Sequence, residues 1–274
     1  MDYEAQYEHV RSVYDRIAPQ YDEAVGQHAV SRRAKQLALH VIKDVTPNGG
    51  RLLDVGCYTG IEAILLAEQG YRVLGVDLSP EMVHKAQEKA SRRRLENRAS
   101  FRVMRAADIG LLVTEKTGPF DTVYSVFGTL NLEPDLPRFK NGLASLLGDS
   151  SRFVCGLLNP TVMYELLMAP LFGKFHGYRK LRKQEVVTRV GLGDDTVKAS
   201  LYSVDDVQTL MAPEFQLERI LGVHILYPPP RGSQGHGRWW LARALDEVEL
   251  RLQSRFPFRN FGFFSLLVFR RAAA

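Results

Sequence analysis

A glycine-containing segment in the first half of the chain has the residue types that bind a nucleotide. The apolar run from Leu52 to Val55 predicts a buried strand, and Gly56 and Gly60 follow where the chain must turn into a helix. The free N–H groups at the start of that helix favour an anionic group. The next apolar run ends at Asp77, where a carboxylate can accept hydrogen bonds from ribose hydroxyls. Either feature alone is equally typical of an ordinary turn or a surface aspartate, but together they favour a nucleotide-type ligand.

The pattern of the turn excludes a nicotinamide fingerprint. That fingerprint requires G-x-G-x-x-G after the strand. Tyr58 stands at the second glycine position and Ile61 at the third, so the pattern is missing twice. The ligand must therefore be identified from the segments around the turn.

Short apolar runs alternate with amphipathic helices from Arg51 onward. The predicted strands are Leu52–Val55, Val73–Val76, Phe101–Met104, Thr122–Phe127, Phe153–Leu158, Leu217–Leu226 and Phe263–Phe269. Strands that are apolar throughout are typical of a parallel sheet covered on both faces. The sequence therefore predicts an α/β, Rossmann-like fold with a mostly parallel seven-stranded sheet.

Four parts of the chain are predicted from this order of elements. They are N-terminal lid helices in 1–46, a core in 47–159, an inserted cap with a hairpin in 160–203, and the remainder of the core with an inserted helix in 204–274. Open α/β sheets bind ligands at the carboxyl ends of their strands. Both insertions are predicted to leave from that edge and to face the substrate.

Length, net charge and cysteine count limit the class of protein and the partners that it can have. The chain has 274 residues, a formal net charge of +5 and two cysteines. Two cysteines provide no disulfide framework and no metal-ligand spacing, so we expect them to be inert and expect no metal. The longest apolar stretch, Phe261 to Phe269, is shorter than the ~20 residues of a membrane-spanning helix. The N-terminus is acidic and lacks the pattern of a secretory signal, and we expect a cytoplasmic protein without a transmembrane segment.

Five segments in order resemble the class I S-adenosylmethionine (SAM)-dependent methyltransferases over roughly residues 10 to 160. The segment from Leu52 to Gly60 resembles motif I, commonly D-x-G-x-G-x-G. The other four resemble the lid-helix opening of ubiquinone and menaquinone methyltransferases, the ribose loop, the adenine segment and motif IV: Tyr14–Asp22, Val76–Ser79, Ala106–Ile109 and Phe120–Ser125.

The resemblance implies SAM as the cofactor and a set of residues that bind it. Gly56 and Gly60 would approach the methionine portion and Asp77 the ribose. Asp108 with Ile109 would frame the adenine. The whole implied set is Tyr21, Asp54, Gly56, Cys57, Gly60, Asp77, Leu78, Met82, Ala107, Asp108, Ile109 and Ser125.

Tyr58 departs from the family pattern because it occupies the central glycine of motif I. A residue with a Cβ there is expected to need either a negative φ or a small shift of the loop. The same position could place the Tyr58 hydroxyl in the active site. Tyr58 is therefore one candidate catalytic residue.

The sequence says less about the methyl acceptor than about the cofactor. Methyl transfer from a sulfonium depends on holding the acceptor in line, and a base is needed only if the acceptor must lose a proton. Residues 127–131 lack the Asn/Asp-Pro-Pro-aromatic sequence of enzymes that methylate bases, which makes nucleic acid an unlikely substrate. A small, partly apolar acceptor is expected. His176 and Tyr178 are the candidate bases in the cap, and further candidates for the acceptor pocket are His224, His236, Arg231, Arg238, Trp239 and Trp240.

Two other functions stay open at this stage. Tyr58 favours a SAM-binding protein that catalyses a reaction other than methyl transfer. The positive charge favours a basic adaptor for nucleic acid or a membrane surface. Formation of S-adenosylhomocysteine would separate methyl transfer from both.

Overall fold

The computed structural model describes residues 3–26, 29–166, 185–191, 193–226 and 247–272. Its strands are β1 (Arg51–Val55), β2 (Arg72–Asp77), β3 (Ala99–Val103), β4 (Phe120–Ser125), β5 (Leu147–Leu158), β6 (Glu185–Arg189), β7 (Thr196–Ser200), β8 (Phe215–Val223) and β9 (Phe264–Arg271). Its helices are α1 (Tyr3–Ile17), α2 (Tyr21–Gly26), α3 (Ala29–Asp44), α4 (Ile61–Glu68), α5 (Pro80–Arg92), α6 (Leu111–Thr114), α7 (Leu136–Leu146) and α8 (Val204–Met211).

Seven strands form one sheet in the order β3-β2-β1-β4-β5-β9-β8. The pairs among β1 to β5 are parallel, whereas β9 is antiparallel to both β5 and β8. Because β8 and β5 both oppose β9, they run in the same direction. The predicted Rossmann-like, mostly parallel seven-stranded sheet is confirmed.

The sheet is covered on both faces, as its apolar strands require. One apolar cluster joins the sheet to α3, α4 and α5, and a second joins it to α7 and α8. In β1 every residue after Arg51 is buried. The strand β1 at the centre of the sheet therefore has no exposed face.

Helix α1 packs one apolar face over the carboxyl edge of the sheet. Its buried residues recur at intervals of three and four, namely Tyr7, Val10, Val13, Tyr14 and Ile17. This face contacts the side chains of Tyr58 and Met82 in a third apolar cluster. Arg105 fastens the N-terminal end of the helix, since its guanidinium binds both carboxylate oxygens of Glu4 at 2.6 Å.

Strands β6 and β7 form a separate two-stranded antiparallel sheet attached to α1. His9 Nε2 lies 3.1 Å from the Thr196 carbonyl oxygen, and Arg16 pairs with Asp195 at 2.7 Å. The hairpin lies within residues 160–203, the segment that the sequence analysis assigns to a cap. The chain leaves β5 and β8 at the same edge of the sheet, because both strands run antiparallel to β9.

Several predicted boundaries were wrong for local reasons. Ser79 as an N-cap and Pro80 in the first turn predict a helix that reaches about Asn97. The helix α5 ends at Arg92 instead, because Arg94 takes a φ of +55° and the Leu95 N–H bonds to the Ala90 carbonyl. The strand predicted to reach Leu226 ends at Val223. His224, predicted within that strand, follows it with a φ of +57° and is buried.

The helices that the sequence predicts over residues 161–172 and about 238–254 lie partly outside the described residues. Within the described part, residues 163–166 and 247–252 are helical. No helix in the described ranges is long and apolar enough to cross a membrane. The same residues contain no group of three or more His, Cys, Asp or Glu arranged to hold a metal ion.

Candidate functional site

The turn after β1 is held against the end of β2. The N–H groups of Gly56 and Cys57 both donate to the Val76 carbonyl, at 2.8 and 3.0 Å. Gly56 has a φ of +78°, and a Cβ built on it would come within 2.2 Å of the Thr129 side chain. The turn therefore requires glycine at this position both for its backbone conformation and for the close approach of Thr129.

Tyr58 keeps the backbone conformation that glycine would have at its position. Its φ is +49°, so it does not adopt the negative φ that was one of the two alternatives expected from the sequence. The left-handed region costs a non-glycine residue roughly 1–2 kcal/mol. The Tyr58 N–H donates to Asp77 Oδ2 at 2.9 Å, and this charge-assisted hydrogen bond opposes the strain.

Asp77 stands at the end of β2 with its carboxylate bound to backbone groups. Oδ2 accepts from Tyr58 and Oδ1 accepts from the Ser79 N–H at 2.9 Å. Each carboxylate oxygen has a further lone pair, so two acceptor positions are left for a ligand. Burial raises the pKa of Asp77 to about 6, and the backbone hydrogen bonds limit the rise. The group is mostly ionised at neutral pH.

A cleft opens beside this carboxylate at the carboxyl ends of β1 and β2. Its floor and walls come from the loops after β1, β2, β3 and β4, and α1 covers it. The described residues that line it are Tyr7, Val10, Arg11, Tyr14, Gly56, Tyr58, Asp77, Leu78, Ser79, Met104, Arg105, Ala106, Thr129, Leu132 and Glu133. Three of the implied cofactor residues, Gly56, Asp77 and Leu78, thus face one space.

Tyrosine rings close one end of the cleft. The Tyr58 ring stacks on Tyr21, with centroids 5.1 Å apart and planes inclined by 13°, and lies 5.5 Å from the Tyr14 ring. Thr129 Oγ1 donates to the Tyr58 hydroxyl at 3.3 Å. Burial raises the pKa of Tyr58 to about 12. The hydroxyl is therefore protonated at neutral pH and is unsuited to act as a base.

The segment after β3 contributes different residues to the cleft lining from those expected from the sequence. Met104, Arg105 and Ala106 line the cleft, whereas Asp108 and Ile109 are absent from its described lining. The Asp108 carboxylate pairs with Arg138 at 2.6 Å, and the Ile109 side chain is fully buried in the core. Both side chains point away because the 3₁₀ turn at 106–108 rotates them toward α7.

Glu133 is a cleft residue that sequence reasoning missed. Its carboxylate accepts hydrogen bonds from the Tyr7 hydroxyl, from the Ala107 N–H at 3.2 Å and from the Asp135 N–H at 2.9 Å. Burial raises its pKa above the ordinary value, and these donors oppose the rise. Glu133 thereby ties α1 to the segment after β3. No local pattern marks the residue, because its partners come from three separate parts of the chain.

The other implied cofactor residues support the cleft from below. The Asp54 and Cys57 side chains are buried, the first within β1 and the second in the turn after it. Gly60 begins α4, and a Cβ on it would come within 2.9 Å of Ala86 and the Phe101 ring. Met82 is fully buried beneath α1, and the Ser125 hydroxyl donates to the Val55 carbonyl at 2.9 Å.

A second, small hollow with an apolar lining lies near the same edge of the sheet. Its lining is Ala34, Ala38, Val126, Phe127, Gly156, Val223, Phe264 and Leu266. Lys35 lies beside it with its ammonium 5.8 Å from the Phe127 ring centroid and 3.0 Å from Glu62.

Most acceptor-side candidates fall outside the described residues. These are His176, Tyr178, Arg231, His236, Arg238, Trp239 and Trp240. His224 is described, and it is buried where the chain leaves β8, with its carbonyl accepting from the Phe263 N–H at 3.1 Å.

Comparisons with known proteins agree with this geometry. A family model described as a methyltransferase domain matches residues 52–149. The ubiquinone/menaquinone biosynthesis C-methyltransferase UbiE of Geobacter sp. (strain M21) is 30% identical over 206 residues, 73% of this chain and 80% of that protein. The putative methyltransferase YqeM of Bacillus subtilis (strain 168) is 38% identical over 79 residues, 29% of this chain and only 30% of YqeM. The structure of the CcbJ methyltransferase from Streptomyces caelestis has a TM-score of 0.63 at 17% identity and covers 95% of this chain and 98% of that one.

The fold, the cofactor turn and these similarities define one class. The chain belongs to the class I SAM-dependent methyltransferases and is similar to the UbiE-type enzymes among them.

Proposed function

We propose that this chain transfers the methyl group of SAM to a small, partly apolar acceptor bound at the carboxyl edge of the sheet. The observation that carries the proposal is the Asp77 carboxylate, held by the N–H groups of Tyr58 and Ser79 while it faces the cleft. A carboxylate fixed in this way needs no rearrangement to accept ribose hydroxyls.

The residues present fit the cofactor. Gly56 borders the cleft with its backbone, and the Thr129 side chain occupies the place that a Cβ would take. Asp77 would hold the ribose, and the segment from Met104 to Ala106 would border the adenine, in place of Asp108 and Ile109. When bound, SAM supplies an activated methyl group on a positively charged sulfur. The chain itself has to bind it, orient it and keep water from it.

The apolar hollow supports an apolar acceptor. Its lining contains no charged side chain among the described residues. The UbiE relative is named for ubiquinone and menaquinone biosynthesis, which favours an acceptor of the quinone type. Whether oxygen, nitrogen or carbon is methylated depends on the acceptor atom that reaches the methyl group. His176 and Tyr178 stay candidate bases for an acceptor that must lose a proton.

The test is a methyl-transfer assay with labelled SAM. Purified full-length chain would be incubated with quinol-type acceptors, and both S-adenosylhomocysteine and methylated product would be measured. We expect both in equal amounts, and less of both with Asp77→Ala when the SAM concentration is near the wild-type Kd. SAM binding without S-adenosylhomocysteine for any acceptor would favour a reaction other than methyl transfer. Strongly salt-dependent binding to nucleic acid or anionic vesicles without SAM affinity would favour a basic adaptor.

A further inference from the structure

The charged side chains of the cleft do not account for recognition of a sulfonium. Its described lining contains the carboxylates of Asp77 and Glu133 and the guanidiniums of Arg11 and Arg105. Both Asp77 oxygens already accept backbone N–H groups. Glu133 accepts from the Tyr7 hydroxyl and from two backbone amides. Arg105 pairs with Glu4 and Arg11 pairs with Glu8, so every charged side chain of the described lining is already engaged by other groups of the protein.

Aromatic rings are the remaining groups that attract a cation. Tyr14 and Tyr58 both line the cleft, and Tyr21 stacks against the Tyr58 ring. A tyrosine face carries negative electrostatic potential and binds a cation within about 6 Å of the ring centroid. The Tyr58 hydroxyl is engaged by Thr129, which fixes the ring rather than leaving it to rotate into solvent.

The backbone brings Tyr58 close to the cofactor. Its N–H lies 2.9 Å from Asp77, the carboxylate that would hold the ribose, so its side chain starts next to the proposed ribose position and borders the cleft. The positive φ keeps the turn in the shape that a glycine would give while adding a ring to it. The motif I segment of this chain therefore gains an aromatic side chain without losing its shape.

We propose that Tyr58, together with Tyr14, recognises the positive charge of SAM and lets the chain discriminate SAM from neutral S-adenosylhomocysteine. This inference rests on the proposed function. Tyr58 is then a specificity-determining residue, and its ring favours the methyl donor over the spent product. Release of the product follows, since loss of the charge removes the attraction to the ring.

Dissociation constants for both ligands test the inference without any acceptor. Isothermal titration calorimetry would measure SAM and S-adenosylhomocysteine on wild type, Tyr58→Phe and Tyr58→Leu. Phenylalanine keeps the ring and leucine removes it, while all three carry a Cβ at the same positive φ. Tyr202→Leu is the control, because Tyr202 is half-buried and absent from the described cleft lining.

The readout is the ratio of the two constants, Kd for S-adenosylhomocysteine over Kd for SAM. We expect Tyr58→Phe and Tyr202→Leu to keep the wild-type ratio and Tyr58→Leu to lower it by about 2- to 30-fold, the range of a cation–π contact. Should Tyr58→Leu bind neither ligand, Tyr14→Leu must lower the ratio in the same way.

Three results would overturn the inference. An unchanged ratio of the two dissociation constants in Tyr58→Leu, or in the fallback Tyr14→Leu, would show that the ring does not distinguish charged SAM from neutral S-adenosylhomocysteine. Tighter SAM binding by Tyr58→Leu would show that the ring obstructs the cofactor instead. Failure of wild type to bind either ligand would refute the proposed function itself. The first two results would refute only the inference about Tyr58, so the two kinds of failure can be told apart.

Discussion

Replacement of Asp77 by alanine tests the centre of the proposed cofactor site. The substitution removes the acceptor of two 2.9 Å hydrogen bonds from Tyr58 and Ser79 and the group that faces the ligand. A hydrogen bond to a charged group contributes about 1.5–3 kcal/mol. Asp77→Ala should therefore weaken SAM binding by about 10- to 150-fold, measured by calorimetry at pH 7.5.

The pKa of Asp77 adds a pH dependence with a definite sign. Because burial raises this pKa to about 6, the folded chain holds a proton that the unfolded chain has lost between about pH 4 and 6. The contribution of Asp77 to stability therefore falls as the pH rises through that window. SAM affinity should change in the opposite direction, since the ionised carboxylate is the better acceptor for ribose hydroxyls.

The size of the pH effect follows from the ionised fraction. One unit below a pKa of about 6, only about one-tenth of the Asp77 groups are ionised. SAM affinity should therefore be about tenfold weaker at pH 5 than at pH 7.5. Asp77→Asn cannot ionise, and its affinity should be nearly constant over the same range.

Asp121→Ala is the matched control for these measurements. The Asp121 carboxylate also accepts a backbone hydrogen bond, from the Arg51 N–H at 2.7 Å, but it lies at the opposite edge of the sheet. It should bind SAM like wild type at both pH values. Unchanged affinity in Asp77→Ala, or an equal loss in Asp121→Ala, would refute the placement of the ribose at Asp77.

Two further substitutions test the packing that shapes the site. Gly56→Ala should lower thermal stability and SAM affinity, because its Cβ would lie 2.2 Å from the Thr129 side chain at a φ of +78°. Gly193→Ala is the control and should change neither thermal stability nor SAM affinity, because no atom lies within 4 Å of the added Cβ. An equal melting temperature for both alanine variants would contradict this reasoning. Lys35→Met should cost about 3 kcal/mol in chemical denaturation, since it leaves the buried Glu62 carboxylate without its 3.0 Å partner. Adding Glu62→Gln should recover part of that loss, and no recovery would indicate that Lys35 acts through packing alone.

Local sequence patterns were sufficient for most of the sheet. The apolar runs before Gly56 and Asp77 predicted β1 and β2, because a strand buried on both faces leaves little room for polar residues. Ser79 and Pro80 predicted the start of α5, where the Ser79 hydroxyl accepts the Met82 N–H at 3.1 Å. Helix ends were less predictable, as the left-handed Arg94 at the end of α5 shows.

The sequence by itself determined the order of the elements, the glycine turn and the carboxylate beside it, since each depends on residues only a few positions apart. The tertiary structure alone decided which side chains face the cleft. It turned Asp108 toward Arg138 and brought Glu133 to Tyr7, 126 residues away along the chain. It also gave Tyr58 the backbone conformation of a glycine. These outcomes depend on contacts between distant segments, and such contacts exist only once the sheet and α1 have packed together.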